Sequence, residues 1–183
     1  MKEYILLKKS IAGISDPFKK KLFFIGYLTE LLKKEQLKPV IVGGYAVEFY
    51  TAGGYNTLDI DLVFSDNKLL DKYLSMLNFK KMGRSWFNKE LDILVEAPGS
   101  SLDTDEMKNL SIVSVGKYKV YIIGLEDIII DRLNAYVYWD SKEDGYWVRE
   151  LLGLFIKKIN WKYLNNKLTD NRLASELKKL IKK

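Results

Sequence analysis

Apolar and polar positions alternate most clearly at 58–64, where Leu58, Ile60 and Leu62 interleave with Asp59 and Asp61. A period of two is that of a strand with one buried face, so both carboxylates leave the sheet on the same side. Upstream, the β-branched run 40–42 predicts another strand, which Gly43-Gly44 ends. Apolar positions at Ala46, Val47, Phe49 and Tyr50 then give two helical turns. Gly53-Gly54 closes them, because an achiral residue takes up the left-handed conformation at a helix end at no steric cost. The order is strand, glycine turn, helix, strand.

The flanking pattern adds helices and more strands. Residues 1–14 show no decisive period. Asp16-Pro17 is a helix start, an N-cap followed by proline at the first helical position, and Phe18, Leu22, Ile25, Leu28, Leu31 and Leu32 keep helical spacing to about residue 34. A helix is predicted over 66–78, with Leu69, Leu70, Tyr73, Leu74 and Leu77 on one face. Residues 79–87, containing Gly83 and Arg84, lead to an Asn88-Lys89 hairpin turn and a strand over 90–96. That strand carries Leu91, Ile93 and Val95 on one face and Asp92 on the other. Residues 98–101 read as a loop, 102–109 are ambiguous, and a hairpin across Gly116 joins 111–115 to 117–123. Helices follow at 125–139 and 143–156, the latter with Trp147, Leu151, Leu154 and Phe155 inward, and 161–183 holds one or two basic helices. The tryptophans at 139, 147 and 161 read as core residues rather than stacking platforms. Together these elements predict an α+β fold, a small mixed sheet flanked by helices with a C-terminal helical extension. The expected division is a core over 1–124 and a helical part over 125–183, packed as one unit.

Composition narrows the chemistry. The chain has no Cys and no His, which excludes disulfides, thiolate sites, cysteine nucleophiles and the imidazole base. Carboxylates, hydroxyls, amines or a hard metal must do any chemistry. No run of 18 apolar residues occurs, and the N-terminus lacks the basic region and apolar stretch of a signal peptide, so a cytoplasmic location without membrane contact is expected. The net charge of +6 is unevenly spread, with lysine-rich ends around an acidic middle. Such a division suits a metal site beside a polyanion-binding surface, or equally solvated lysines on amphipathic helices.

Asp59 and Asp61, two residues apart on a strand, sit about 6.5–7 Å apart along the backbone and can lean onto shared cations. In a cleft of effective dielectric near 20 their repulsion at about 6 Å is roughly 3 kcal/mol, so a buried pair calls for a cation. If the 90–96 strand lies beside theirs, Asp92 joins them. Three hard oxygen ligands suit magnesium, and two such ions can clamp the attacking and leaving oxygens of a nucleotidyl transfer.

Gly43-Gly44, a short helix, Asp59-x-Asp61 on a strand and the later Asp92 resemble the nucleotidyltransferase superfamily built on the DNA polymerase beta catalytic core. The likeness spans about 40–152. It is nearest to the small prokaryotic branch of minimal nucleotidyltransferases and abortive-infection toxins. The resemblance implies transfer of a nucleoside monophosphate from a nucleoside triphosphate to an acceptor hydroxyl on RNA, protein or a small molecule. Mg2+ or Mn2+ would be held by Asp59, Asp61 and Asp92, with Asp92 also drawing on the acceptor's proton. Gly43 and Gly44 would approach the phosphates. Thr57 is either a phosphate contact or a plain strand residue, and Arg132, where the family usually has Lys, is either near the phosphates or on a helix face. Lys142 and Asp144 match the family's later Lys-x-Asp pair. The family's Ser after the first glycine and Arg before the threonine are replaced by Gly44 and Tyr55. The alternative is a weak or inactive module that binds RNA or a protein, as in a toxin–antitoxin pair. Oligomeric state, acceptor and base preference do not follow from these residues.

Overall fold

The computed structural model describes residues 2–181. Met1, Lys182 and Lys183, which fall within the expected N-terminal segment and C-terminal helices, lie outside the described residues. One seven-stranded mixed sheet organises the chain, in the order β3-β4-β5-β2-β1-β7-β6. Its strands are β1 (Val40–Ile41), β2 (Asp59–Val63), β3 (Lys80–Met82), β4 (Ser85–Asn88), β5 (Ile93–Gly99), β6 (Ser111–Val115) and β7 (Tyr118–Ile122). The helices are α1 (Lys2–Ile11), α2 (Pro17–Leu32), α3 (Gly43–Tyr50), α4 (Asn67–Met76), α5 (Thr104–Lys108), α6 (Leu125–Tyr138), α7 (Lys142–Phe155), α8 (Trp161–Lys167) and α9 (Asn171–Ile181). The α+β architecture with its helical C-terminal segment is the one the periodicities predict.

Local chemistry explains the boundaries. The Asp16 carboxylate accepts from the Phe18 and Lys19 amides, capping α2 behind Pro17. The undecided N-terminal segment is α1, whose Leu7 and Ile11 are buried. The ambiguous 102–109 segment contains α5, fixed by a capping box between Asp103 and Glu106. One face of the sheet is core. Ile60, Leu62, Ile93, Val95, Val120 and Ile122 are buried there. α2 packs on β7 and β6, and Phe24 of α2 stacks on Phe79 at 4.9 Å. The other face carries Asp59 and Asp61.

The structure departs from four expectations. Leu58 is not part of the buried alternation; it precedes β2 and is 86% exposed. Leu154 points outward on α7, and Trp139, just past the end of α6, is 80% exposed rather than core. β5 begins at Ile93 and runs through Gly99, so it starts later and ends later than the predicted strand. The cause is Asn88, which is 1% exposed. Its side chain donates to the Leu77 carbonyl (3.0 Å) and accepts from the Leu91 amide (3.0 Å). That bracket winds residues 89–92 into a turn, buries Leu91, and leaves Asp92 exposed in the left-handed region at φ +52°.

A buried ion pair ties the helical layer to the site. Lys21 of α2 and Glu48 of α3, 5% and 4% exposed, meet at 2.8 Å. The Lys21 ammonium also donates to the Thr57 carbonyl (2.8 Å) and lies over the Tyr45 ring. Removing one member of such a pair strands the other without solvent. Lys21→Met should therefore cost about 3–5 kcal/mol in urea-unfolding free energy, and Lys21→Met with Glu48→Leu should recover most of the loss.

Candidate active site

Three carboxylates converge. Oxygens of Asp59, Asp61 and Glu96 all lie within 4.8 Å of one another. β2 and β5 run parallel with Asp61 opposite Glu96 and Asp59 opposite Leu94, so Asp59, Asp61 and Glu96 share a face. Asp92 has the same side-chain parity as Glu96 but is four residues away. It sits in the turn ahead of β5 and is not among the carboxylates whose oxygens meet there. The expected convergence of Asp59, Asp61 and Asp92 therefore does not occur; Glu96 occupies the third position. Glu96 lay within the predicted strand and on the correct face. The missing signal was the register, which a single strand's sequence does not carry.

Each acid is held by a neighbour. The Thr57 hydroxyl donates to Asp59 Oδ1 (2.6 Å), and the Ser85 hydroxyl donates to Glu96 Oε1 (2.5 Å). Thr57 thus touches a carboxylate of the cluster. The Val42 amide donates to the Asp61 carbonyl (2.9 Å), which extends the β1–β2 pairing and sets Gly43 against the Asp61 side chain. Gly43 has φ +59°, and a Cβ there would fall 2.2 Å from Asp61 Oδ2. The Gly44 amide, at the N-terminus of α3, points at the same oxygen from 3.4 Å.

Burial pushes the Asp61 carboxyl up to about 6, helped by the charge of Asp59 and, more weakly, of Glu96; the Gly44 amide and Arg132 pull the other way. A set of hard oxygen donors in which one ionises only against resistance is the arrangement a divalent cation relieves. These residues fit such an ion.

Beside Asp61 opens a cleft of about 560 Å3, lined also by Gly43, Val63, Pro98, Asp127 and Arg132. Arg132 is the basic residue of that lining, and its guanidinium pairs with Asp131 (2.6 Å) and Asp144 (3.0 Å). These carboxylates hold the Arg132 charge firmly in place, although burial opposes it. Lys142 stands exposed in the first turn of α7 and does not line the cleft. Asp127, buried at the start of α6, accepts from Asn109 (2.8 Å) and Tyr163 (2.7 Å), so it also fastens the segment before β6 and α8 to α6. Tyr55, where the family has Arg, packs edge-on against Trp147 of α7 at 5.1 Å.

A mixed sheet bearing Asp-x-Asp after a glycine turn, with a third acid on the adjacent strand, defines the class as nucleotidyltransferase. The chain belongs to a family described as nucleotidyltransferase of unknown function, DUF6036, whose model matches residues 20–180. Among solved structures it is similar to an antigenic nucleotidyltransferase-like protein from Paracoccidioides brasiliensis. That match has a TM-score of 0.66 at 18% identity and covers 92% of this chain and 88% of that one. It is also similar to the antibiotic-resistance factor ANT(2'')-Ia, solved in solution, with a TM-score of 0.51 at 15% identity over 88% of this chain and 89% of that one. The same factor in complex with adenylyl-2''-tobramycin gives 0.52 at 15% identity over 87% of this chain and 98% of that one. A comparison with curated protein sequences finds no match. Among the described residues no helix is long and apolar enough to cross a membrane.

Two predictions follow from this geometry. Gly43→Ala places a methyl group on a carboxylate oxygen at a positive φ, and should lower thermal stability by about 1–3 kcal/mol and displace Asp61. The raised Asp61 carboxyl means that the folded state holds a proton more tightly than the unfolded chain does. Stability of the metal-free protein should fall as pH rises from about 4 through about 6 and then level off. Asp61→Asn should flatten that slope in melting experiments, leaving only what the burial-raised Asp127 carboxyl contributes, and magnesium should raise the wild-type melting temperature above pH 6 more than below it.

Proposed function

We propose that this chain transfers a nucleoside monophosphate from a nucleoside triphosphate to an acceptor hydroxyl, using magnesium or manganese. The observation that carries this is the convergence of Asp59, Asp61 and Glu96 beside the Gly43-Gly44 turn, at the mouth of a cleft that contains Arg132. Asp59 and Asp61 would hold the ion that meets the triphosphate, and Glu96, in the place expected for Asp92, would complete the second. When bound, such ions neutralise charge on the attacking and leaving oxygens.

The chain's own groups divide the remaining work. Thr57 keeps Asp59 turned toward its partners, and Ser85 does the same for Glu96. Amides at the uncapped N-terminus of α3 face the cleft end where an anion is favoured. Arg132, locked by two carboxylates, offers a fixed positive charge rather than a mobile one. The acceptor oxygen attacks the α-phosphorus, its proton passes to Glu96, and the bond to pyrophosphate breaks. The tobramycin adduct bound to ANT(2'')-Ia shows that a related fold holds a nucleotidylated acceptor, which supports this reading.

Titration calorimetry with ATP, GTP, CTP and UTP, with and without magnesium, tests it. Metal-dependent binding of at least one triphosphate is expected, lost in Asp59→Asn and in Glu96→Gln and retained in Asp92→Asn. Thr57→Val, which frees Asp59 to rotate, should weaken metal-dependent binding about 10–100-fold. Binding of RNA alone, unchanged by Asp59→Asn and with no triphosphate bound, would instead support a non-catalytic module.

A further inference from the structure

The two edges of the sheet are built differently. β3 is three residues long, carries Lys80 and Lys81, and is exposed throughout. Shortness and lysine are the usual means of keeping an edge from pairing with another chain. β6, which ends the sheet on the other side, has neither. Its five residues, Ser111 to Val115, include no charge, no proline and no glycine, and Ile112, Val113 and Val115 are β-branched. All five pair with β7 in unbroken register, from Ser111 opposite Ile122 to Val115 opposite Tyr118, so no bulge turns the edge aside.

The strand is also a firm template. Val113 and Val115 pack on the core beneath α2, and the Ser111 hydroxyl meets the Tyr50 hydroxyl at 2.8 Å. β6 is contacted chiefly by β7 and α2, and no strand among the described residues pairs with its outer row of N–H and C=O groups. Ile112, on the face away from α2, is 57% exposed. The two ends of β6 are flanked by opposite charge. Just before it, residues 103–108 carry Asp103, Asp105 and Glu106 against Lys108. Lys167 takes Asp103 and Glu106, whereas Asp105 is exposed and outside the ion pairs found among the described residues. Just after it, Lys117 and Lys119 are exposed and likewise outside those pairs.

We propose that a second copy of this chain pairs antiparallel with β6 about a two-fold axis at Val113, joining two seven-stranded sheets into one. This axis pairs all five residues: Val113 with its own copy, Ile112 with Ser114, and Ser111 with Val115. Residues directly opposite on antiparallel strands share a face, so the apolar side beneath α2 runs through both copies. On the other side Ile112 is enclosed between its own Tyr121 and the second copy's Ser114. Antiparallel order also sets the start of each β6 beside the end of the other, so the acidic 103–106 segment meets the Lys117 end twice. A parallel partner would set acid beside acid. A five-residue edge belongs with interfaces below about 1,200 Å2, which dissociate readily, so a reversible dimer with Kd in the micromolar range is expected. β1 and β7 stand between β6 and the carboxylate-bearing strands, and the inference does not depend on the proposed function.

Sedimentation of the full chain from about 1 to about 100 μM tests it. Ile112→Lys sets an ammonium against the second copy on both sides of the axis and should weaken dimerisation about tenfold or more. Met82→Lys, at the opposite edge where the residue is 63% exposed, should leave it unchanged. Melting temperatures at low concentration that match the wild type show that both variants are folded. The chain has no Cys, so Val113→Cys supplies a single thiol, which diamide should link to its own copy, whereas Met82→Cys should not link. Asp105→Lys and Lys117→Glu should each weaken the dimer, and an equal mixture should recover it, because one end contact is then reversed in sign and the other is native. A monomer throughout the range, an Ile112→Lys dimer as tight as the wild type, or loss of the dimer in Met82→Lys would overturn the proposal. So would a Val113→Cys thiol that stays unlinked in the dimer, or a mixture of charge variants no tighter than either alone.

Discussion

The parallel pairing of β2 with β5, in the register that sets Asp61 opposite Glu96, is the constraint on which the rest depends. Side chains on neighbouring strands of one face are close only when their residues are near in register. A shift of one residue would carry Glu96 to the buried face beside Ile60 and Leu62 and turn Val95 out of it, and an unpaired carboxylate there costs several kcal/mol. The hydrophobic face thus protects the polar one. The core does not select the acids, but it forbids every odd-numbered shift of the strand that carries them.

A second chain of contacts runs from the core to the carboxylates. The buried Lys21–Glu48 pair joins α2 to α3, the same ammonium grips the Thr57 carbonyl, and the Thr57 hydroxyl grips Asp59. Two hydrogen bonds therefore separate α2 from the orientation of the first acid. On the other side of the cluster, Gly43 lets the backbone come within reach of Asp61, which no residue with a Cβ could do at that φ. Rigid elements from both flanks meet at the acids, as a site that must hold its geometry to within about 0.5 Å requires.

The distribution of charge around the cluster gives the site a direction. Asp127, Asp131 and the pinned Arg132 line the cleft beside Asp61, whereas Lys81 and Trp86 belong to the opposite, helix-covered face of the sheet. The asymmetry is local. The net charge of +6 is the balance of lysine-rich segments over 1–39 and 157–183 against an acidic middle, and does not identify it.

Most of the fold was legible along the chain because it rests on local signals. Asp16-Pro17 set the start of α2, the period-two run set β2, Gly116 set the β6–β7 hairpin, and Asp59 and Asp61 declared their common face. Legibility failed where a distant contact overruled a local one. Leu58 looks inward by parity, yet β2 begins one residue later and leaves it in solvent. Asp92 looks like a strand carboxylate, but the buried Asn88, anchored to the Leu77 carbonyl, turns the chain and moves the strand onward. The sequence by itself determined which residue types could hold a hard cation and on which face of each strand they lie, since both follow from side-chain chemistry and a backbone repeat of two. Only the tertiary structure decided that Glu96 is the third acid, because register is a property of pairs of distant segments.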